Sequence, residues 1–205
     1  MADVLELASS GRAKCRGCGR AIAKRELRFG ESLPNAFGEG DALYWFHPLC
    51  AACMRPEKFA SVAGGFDGAL EDRDWLLRTA EFGAAHRRLP RLGRAERASS
   101  GRAHCRQCRE LIPKDEFRLA LQMFEEGRMS PIGYIHVACA EAYFGTRDIL
   151  DRVRRLTPDL SDDDAREIEA TLRDAPPVAE TELRLAKTRP APESEERASA
   201  SGDRS

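Results

Sequence analysis

Residues 9–28 read SSGRAKCRGCGRAIAKRELR, and residues 99–118 read SSGRAHCRQCRELIPKDEFR. Twelve of the twenty paired positions are identical, among them both cysteines of a CxxC turn and the arginine that follows the first. Downstream, His47-Pro-Leu-Cys50 answers to His136-Val-Ala-Cys139, with 28 and 27 residues between the inner cysteine and the histidine. One module is therefore spelled twice in 205 residues.

The repeated residues are metal ligands by type and spacing. Zinc takes four donors in a tetrahedron, drawn from thiolate and imidazole; a CxxC turn supplies two, and a distant HxxC at a helix start supplies two more. Cys15, Cys18, His47 and Cys50 form one set, and Cys105, Cys108, His136 and Cys139 the other. With no position left for water, two structural Zn²⁺ ions are expected. Cys50-Ala-Ala-Cys53 is a further CxxC, which leaves an all-cysteine first site open. The second copy has Ala142 at the matching place, which favours His47 and makes Cys53 a spare thiol on the helix. His86 and His104 are expected to face solvent.

The redox setting agrees. No basic start followed by an apolar run opens the sequence, and no stretch reaches the roughly 18 apolar residues of a membrane span. Seven cysteines cannot all pair as disulfides. The reading is a cytoplasmic, nucleoid-associated protein if the arginine-rich composition marks a bacterium, and a nuclear one in a eukaryote, with no membrane partner.

Net charge is −1, but it is sorted along the chain. Residues 11–30 carry seven Lys/Arg against one Glu, and residues 87–118 carry ten against four; residues 141–182 carry six Arg against twelve acids. The basic segments surround the cysteines, which points to a polyanion.

The expected fold class is α+β: two small zinc-stabilised modules, each a short antiparallel sheet plus helices, joined by a helical connector and followed by a disordered tail. Strands are read at LRFGESL, ALYWF, FRLALQMF and IGYI. The connector at 69–89 places Leu70, Trp75, Leu76 and Phe82 near one face and ends at Pro90. Two closing helices fall in 146–173, the second capped by Ser161 or a neighbouring Asp. The boundaries are 1–68, 69–98, 99–174 and 175–205, the last rich in Pro, Ala, Ser and Glu.

The GRAxCxxC opening, the I-P-K-[DE]-x-x-R segment at 112–118 and the wide gap to HxxC resemble the zinc finger of poly(ADP-ribose) polymerase, also found in a eukaryotic DNA ligase. The likeness covers about residues 9–53 and 99–173, and RDILDRVRRLTPDLSDDDAREIEATL is similar to the family's closing helices. The first copy departs after Cys50 and has Ala23 where the second has Pro113. The resemblance implies binding to DNA breaks, nicks or gaps by structure rather than sequence. By position it assigns phosphate contacts to Arg12, Arg102, Arg28 and Arg118, helped by Lys24 and Lys114. It assigns a base-stacking cap to Phe124 and Met129, and to Phe37 with Leu43 nearby in the first copy. Trp45 and Phe46 are read as core.

The expected function is a non-catalytic DNA-binding protein. No Gly-rich phosphate loop or nucleophile set is apparent, and only about 30 residues follow the second module. DNA, and through it a repair protein, are the expected partners, with no small-molecule substrate. Two alternatives are a protein-interaction module docking through acidic 141–182, and a redox sensor using Cys53.

Overall fold

The computed structural model describes residues 2–35 and 38–179. Phe37 and residues 180–205, where a base-stacking role and most of the disordered tail were expected, lie outside the described residues.

The fold is α+β. Strands β1 (Val4–Leu7), β2 (Leu27–Pro34) and β3 (Asp41–Phe46) form one antiparallel sheet in sequence order. Helices α1 (Pro48–Met54), α2 (Pro56–Gly64) and α3 (Arg73–Ala85) follow. The second sheet repeats the pattern with β4 (Leu92–Arg97), β5 (Phe117–Glu125) and β6 (Arg128–His136). It leads into α4 (Ala140–Phe144), α5 (Leu150–Leu156) and α6 (Asp162–Asp174). Among the described residues no helix is long and apolar enough to cross a membrane.

The repeat thus begins earlier than the SSGRA phrase. β1 and β4 are equivalent edge strands, each pairing its glutamate with the arginine of the next strand: Glu6 with Arg28, Glu96 with Arg118. Residues 92–97 of the stretch read as a helical connector are therefore a strand of the second sheet. The helical part of that stretch is α3, which packs on α1 and α2 through Leu76 and Ala80 and so belongs to the first core. It ends at Ala85, well before Pro90, which sits in a short 3₁₀ turn. Trp75, expected on the apolar face, is 42% exposed. His86, expected at the surface, is buried, its Nδ1 2.8 Å from the Phe82 carbonyl oxygen.

Each sheet buries one face on helices. In the first copy Phe29, Phe46 and Phe59 are fully buried, Phe29 meeting Phe59 edge-on at 5.9 Å. In the second, Leu119 and Ile135 lie in a core with Phe144, Val153 and Ile168. The β4 edge bulges between Leu92 and Ala95, and the Ala95 N–H is satisfied by the buried Thr157 hydroxyl at 2.9 Å, which pins the chain after α5 to the sheet.

The two copies also share a core. The β5–β6 hairpin turns at Glu126-Gly127, both with positive φ, as a two-residue type I′ turn requires. Its tip lies on the first copy, where a Cβ on Gly127 would collide with the Tyr44 ring. Phe124 packs edge-on against Tyr44 at 5.9 Å and Phe46 at 5.2 Å. Beside it Glu31, 1% exposed, is held by Arg55 through two hydrogen bonds of 2.5 and 2.6 Å.

Candidate metal centres

Each tetrad is built the same way. The CxxC turn closes on itself, Cys15 N–H donating to the Arg20 carbonyl and Cys105 N–H to that of Glu110, both at 2.8 Å. The residue after the first cysteine ties the knuckle to the last strand: Arg16 N–H to Trp45 O at 2.9 Å, Arg106 N–H to Tyr134 O at 2.8 Å. The histidine follows β3 directly in the first copy and closes β6 in the second, and the helical turn after it delivers the fourth cysteine.

The four donor atoms of each set lie within 4.8 Å of one another. Zn–S near 2.3 Å and Zn–N near 2.0 Å in a tetrahedron set an S···N edge of about 3.5 Å. Cys18 Sγ stands 3.4 Å from His47 Nδ1, and Cys108 Sγ 3.4 Å from His136 Nδ1. The chain's residues therefore fit two Zn²⁺ ions, each held by three thiolates and an Nδ1. The remaining ring nitrogens have partners that fix the tautomer: His136 Nε2 donates to Leu111 O at 3.1 Å, and His47 Nε2 faces Glu26 Oε1 at 3.4 Å.

Donors this close share their protons unevenly. The hydrogen bond with Cys139 holds the Cys105 thiol down at about 4 and pushes Cys139 up. Likewise the bond with Cys15 lowers Cys18 and raises His47 to about 10. A metal ion replaces these shared protons and needs the deprotonated donors. Cys53 is not part of the first tetrad. It is buried, and desolvation raises its thiol pKa, the opposite of what a reactive thiolate needs.

No protein-family profile matches the chain. It is 28% identical over 132 residues to poly(ADP-ribose) polymerase 1 of Gallus gallus, covering 58% of this chain and 13% of that protein. It is 25% identical over 191 residues to poly(ADP-ribose) polymerase of Sarcophaga peregrina, covering 82% of this chain and 19% of that protein. The Drosophila melanogaster poly(ADP-ribose) polymerase is 28% identical over 134 residues, with 58% and 14% covered. The two tetrads fit tandem PARP-type zinc fingers. The chain spans less than a fifth of the length of the curated relatives it matches.

The residues expected to touch DNA divide into two groups. Arg12, Lys24, Arg102 and Lys114 are exposed around the two finger knuckles, and Met129 is half-buried. Arg28 and Arg118 are 7% exposed and committed elsewhere. Arg28 Nε and Nη2 donate to Glu6 Oε1 at 3.2 and 2.5 Å, with the guanidinium 3.4 Å from the Trp45 ring centroid. Arg118 repeats this on Glu96 at 3.0 and 2.5 Å, 3.5 Å from the Tyr134 centroid. A guanidinium paired with a carboxylate and covered by a ring is not presented to phosphate. Phe124, 6% exposed in the inter-finger core, has no free face for a base.

Sequence reasoning missed Arg152 and Arg155 of α5. Arg155 Nε donates to Cys50 Sγ at 3.2 Å, and Arg152 Nη1 to the Cys53 carbonyl at 2.8 Å. Nothing in the HxxC spacing shows that a helix of the second finger reaches the first metal centre.

Proposed function

We propose that these fingers bind DNA by its structure, preferring strand breaks, nicks or distorted duplex over intact DNA. The observation that carries this reading is the charge around the knuckles. Arg12, Lys14, Lys24 and Arg25 in the first finger, and Arg102, Arg106 and Arg109 in the second, are exposed. Among the described residues none of them enters an ion pair, so their charge is available to phosphate. The metal centres set the geometry, holding each knuckle rigid against its sheet, and perform no chemistry themselves. The reading is therefore non-catalytic, with DNA as partner and a repair protein as a further one. Its place is beside DNA, on a nucleoid or in a nucleus. The second finger's unit begins with β4 rather than at residue 99.

The acidic stretch 141–182 gives the interaction-module alternative little support. Arg97 engages Asp164 and Glu167, Arg94 engages Asp159, Arg154 engages Asp162, and Arg147 engages Glu141. Much of the negative charge is spent inside the second finger.

The test is binding of zinc-loaded protein to one sequence presented as hairpin-closed, nicked and blunt duplex, at two salt concentrations. Preference for the nicked or blunt form is expected. Equal salt-sensitive affinity for all three forms would reduce the reading to general DNA binding, and no affinity at low salt would end it.

A further inference from the structure

A cleft of about 640 Å³ lies where α1 and α3 of the first finger meet α5 of the second, with Arg20 of the first knuckle at its wall. Its size falls in the range of small-molecule sites. Arg20, Arg78, Arg152, Arg154 and Arg155 line it, against two carboxylates, Asp148 and Asp151.

Arg152 is the most enclosed of these cations. It is 5% exposed, and its Nη1 and Nη2 donate to carbonyl oxygens of Cys53 at 2.8 Å and Thr79 at 2.6 Å. Among the described residues no carboxylate lies within ion-pair distance. Carbonyl dipoles satisfy its hydrogen bonds, and the Asp148 carboxylate on the cleft wall acts on its charge beyond ion-pair distance, so the guanidinium serves as the cleft's fixed floor. Arg155 is occupied by Cys50, Arg154 by Asp162 and Arg20 by the Pro158 carbonyl. Arg78 is exposed and makes no hydrogen bond or ion pair among the described residues.

The other lining groups narrow the class of anion. Trp75 presents an indole that is 42% exposed, one turn from Thr79 and beside Arg78 in sequence register on α3. An exposed indole offers a stacking face to a planar ring. Asp148 and Asp151 form no ion pair among the described residues, leaving acceptors for sugar hydroxyls, the role carboxylates play in nucleotide sites. An acidic peptide would use neither the ring nor the carboxylates.

We propose that this cleft binds a phosphate-bearing nucleotide, with its base on Trp75, its phosphate toward Arg78, and its sugar near Asp148 and Asp151. The nucleotide is either free or the phosphorylated terminus of a DNA strand. The assignment stands apart from the knuckle contacts.

The test uses the zinc-loaded full chain. Tryptophan emission and calorimetry follow titration with AMP, ATP and inorganic phosphate, and with duplexes ending in 5′-phosphate or 5′-hydroxyl. The expected result is quenching by AMP and ATP, absent in Trp75→Phe, and affinity lower by about tenfold in Arg78→Ala, the loss of one charge-assisted contact. Both variants lie on the exposed side of α3, and zinc content and circular dichroism verify their folding. Quenching by the 5′-phosphate duplex alone, dependent on Arg78, supports the site and assigns it to strand ends. No quenching and no heat with any ligand overturns the proposal. So does Arg78→Ala binding like wild type, or inorganic phosphate binding as tightly as AMP. Loss of knuckle-mediated DNA binding would show instead as failure on the 5′-hydroxyl duplex, leaving the free-nucleotide arm intact.

Discussion

Arg155 Nε of the second finger donates a 3.2 Å hydrogen bond to Cys50 Sγ of the first metal centre. The centres are thereby unequal despite their common plan. Three thiolates, one imidazole and Zn²⁺ sum to one negative charge, and at the first site an arginine from another module faces it. There Gly17 also lies tight against the helix, since a Cβ would stand 2.9 Å from the Cys50 Cβ. At the second site Cys108 is exposed, and among the described residues no side chain of the first finger hydrogen-bonds to the three thiols.

Arg155→Ala should therefore weaken metal retention at the first site and spare the second. Removing a partner that supports a metal ligand costs about 10- to 100-fold in affinity. In cadmium-substituted protein, ¹¹³Cd spectra give one resonance per site, and chelator competition reads their release. Only the first-site signal should shift and deplete faster, with Arg155→Lys partly restoring it. Equal changes at both sites would mean that the bond is incidental.

Phe124→Ala should destabilise the whole chain rather than impair break recognition. The ring is buried between Tyr44, Phe46 and Arg55, so its removal leaves a cavity costing about 3–5 kcal/mol. Denaturant unfolding should show that loss, while the ratio of nicked to closed-duplex affinity in the folded protein stays constant. A selective loss on nicked DNA would return Phe124 to a stacking role.

The metal centres were legible because zinc restricts its ligands to a few residue types at set spacings, and the duplication repeated them. The strands from Leu27, Asp41 and Phe117 were legible from apolar runs bounded by turn residues. β4 was not: in LGRAER only Leu92, Gly93 and Ala95 are buried, and its charged residues serve pairing partners far along the chain. The same long-range pairing hid the fate of Arg28 and Arg118, because a sequence shows a cation but not the carboxylate it meets. The burial of Phe124 was not legible, since an aromatic near a hairpin tip looks exposed until a second module covers it. The covering ring over each buried arginine follows a local rule that is visible only in register: Trp45 lies over Gly30, where a Cβ would stand 2.6 Å from Cζ3, while the smaller Tyr134 faces Ala120.

The two kinds of basic residue should separate experimentally. Arg12→Ala and Arg102→Ala should leave stability within about 0.5 kcal/mol and each lower the slope of log affinity against log salt by about one. Arg118→Ala should instead cost about 1–3 kcal/mol of stability by removing both hydrogen bonds to Glu96 and uncovering Tyr134. Fluorescence anisotropy across a salt series and thermal unfolding read the two effects. A reduced slope without lost stability in Arg118→Ala would show that its guanidinium leaves Glu96 for phosphate.

Helix α6 carries a separable, pH-sensitive cap. Ser161 Oγ accepts from Asp164 N–H at 3.1 Å and donates to the Asp164 carboxylate at 2.7 Å, which also meets Arg97. The Ser161 hydrogen bond, then Arg97, holds the Asp164 carboxyl below its ordinary range. A depressed folded-state pKa stabilises the fold above the unfolded value, and that contribution is lost as pH falls through the folded value. Ser161→Ala should remove an N-cap worth about 1 kcal/mol at neutral pH. The difference between wild type and Ser161→Ala should narrow on acidification below the usual Asp range, as the carboxyl that Ser161 supports becomes protonated. Unfolding of zinc-loaded protein at a series of pH values, with metal content monitored to separate zinc loss, measures it. A gap unchanged down to the lowest pH that retains zinc would show that Asp164 does not titrate with the cap.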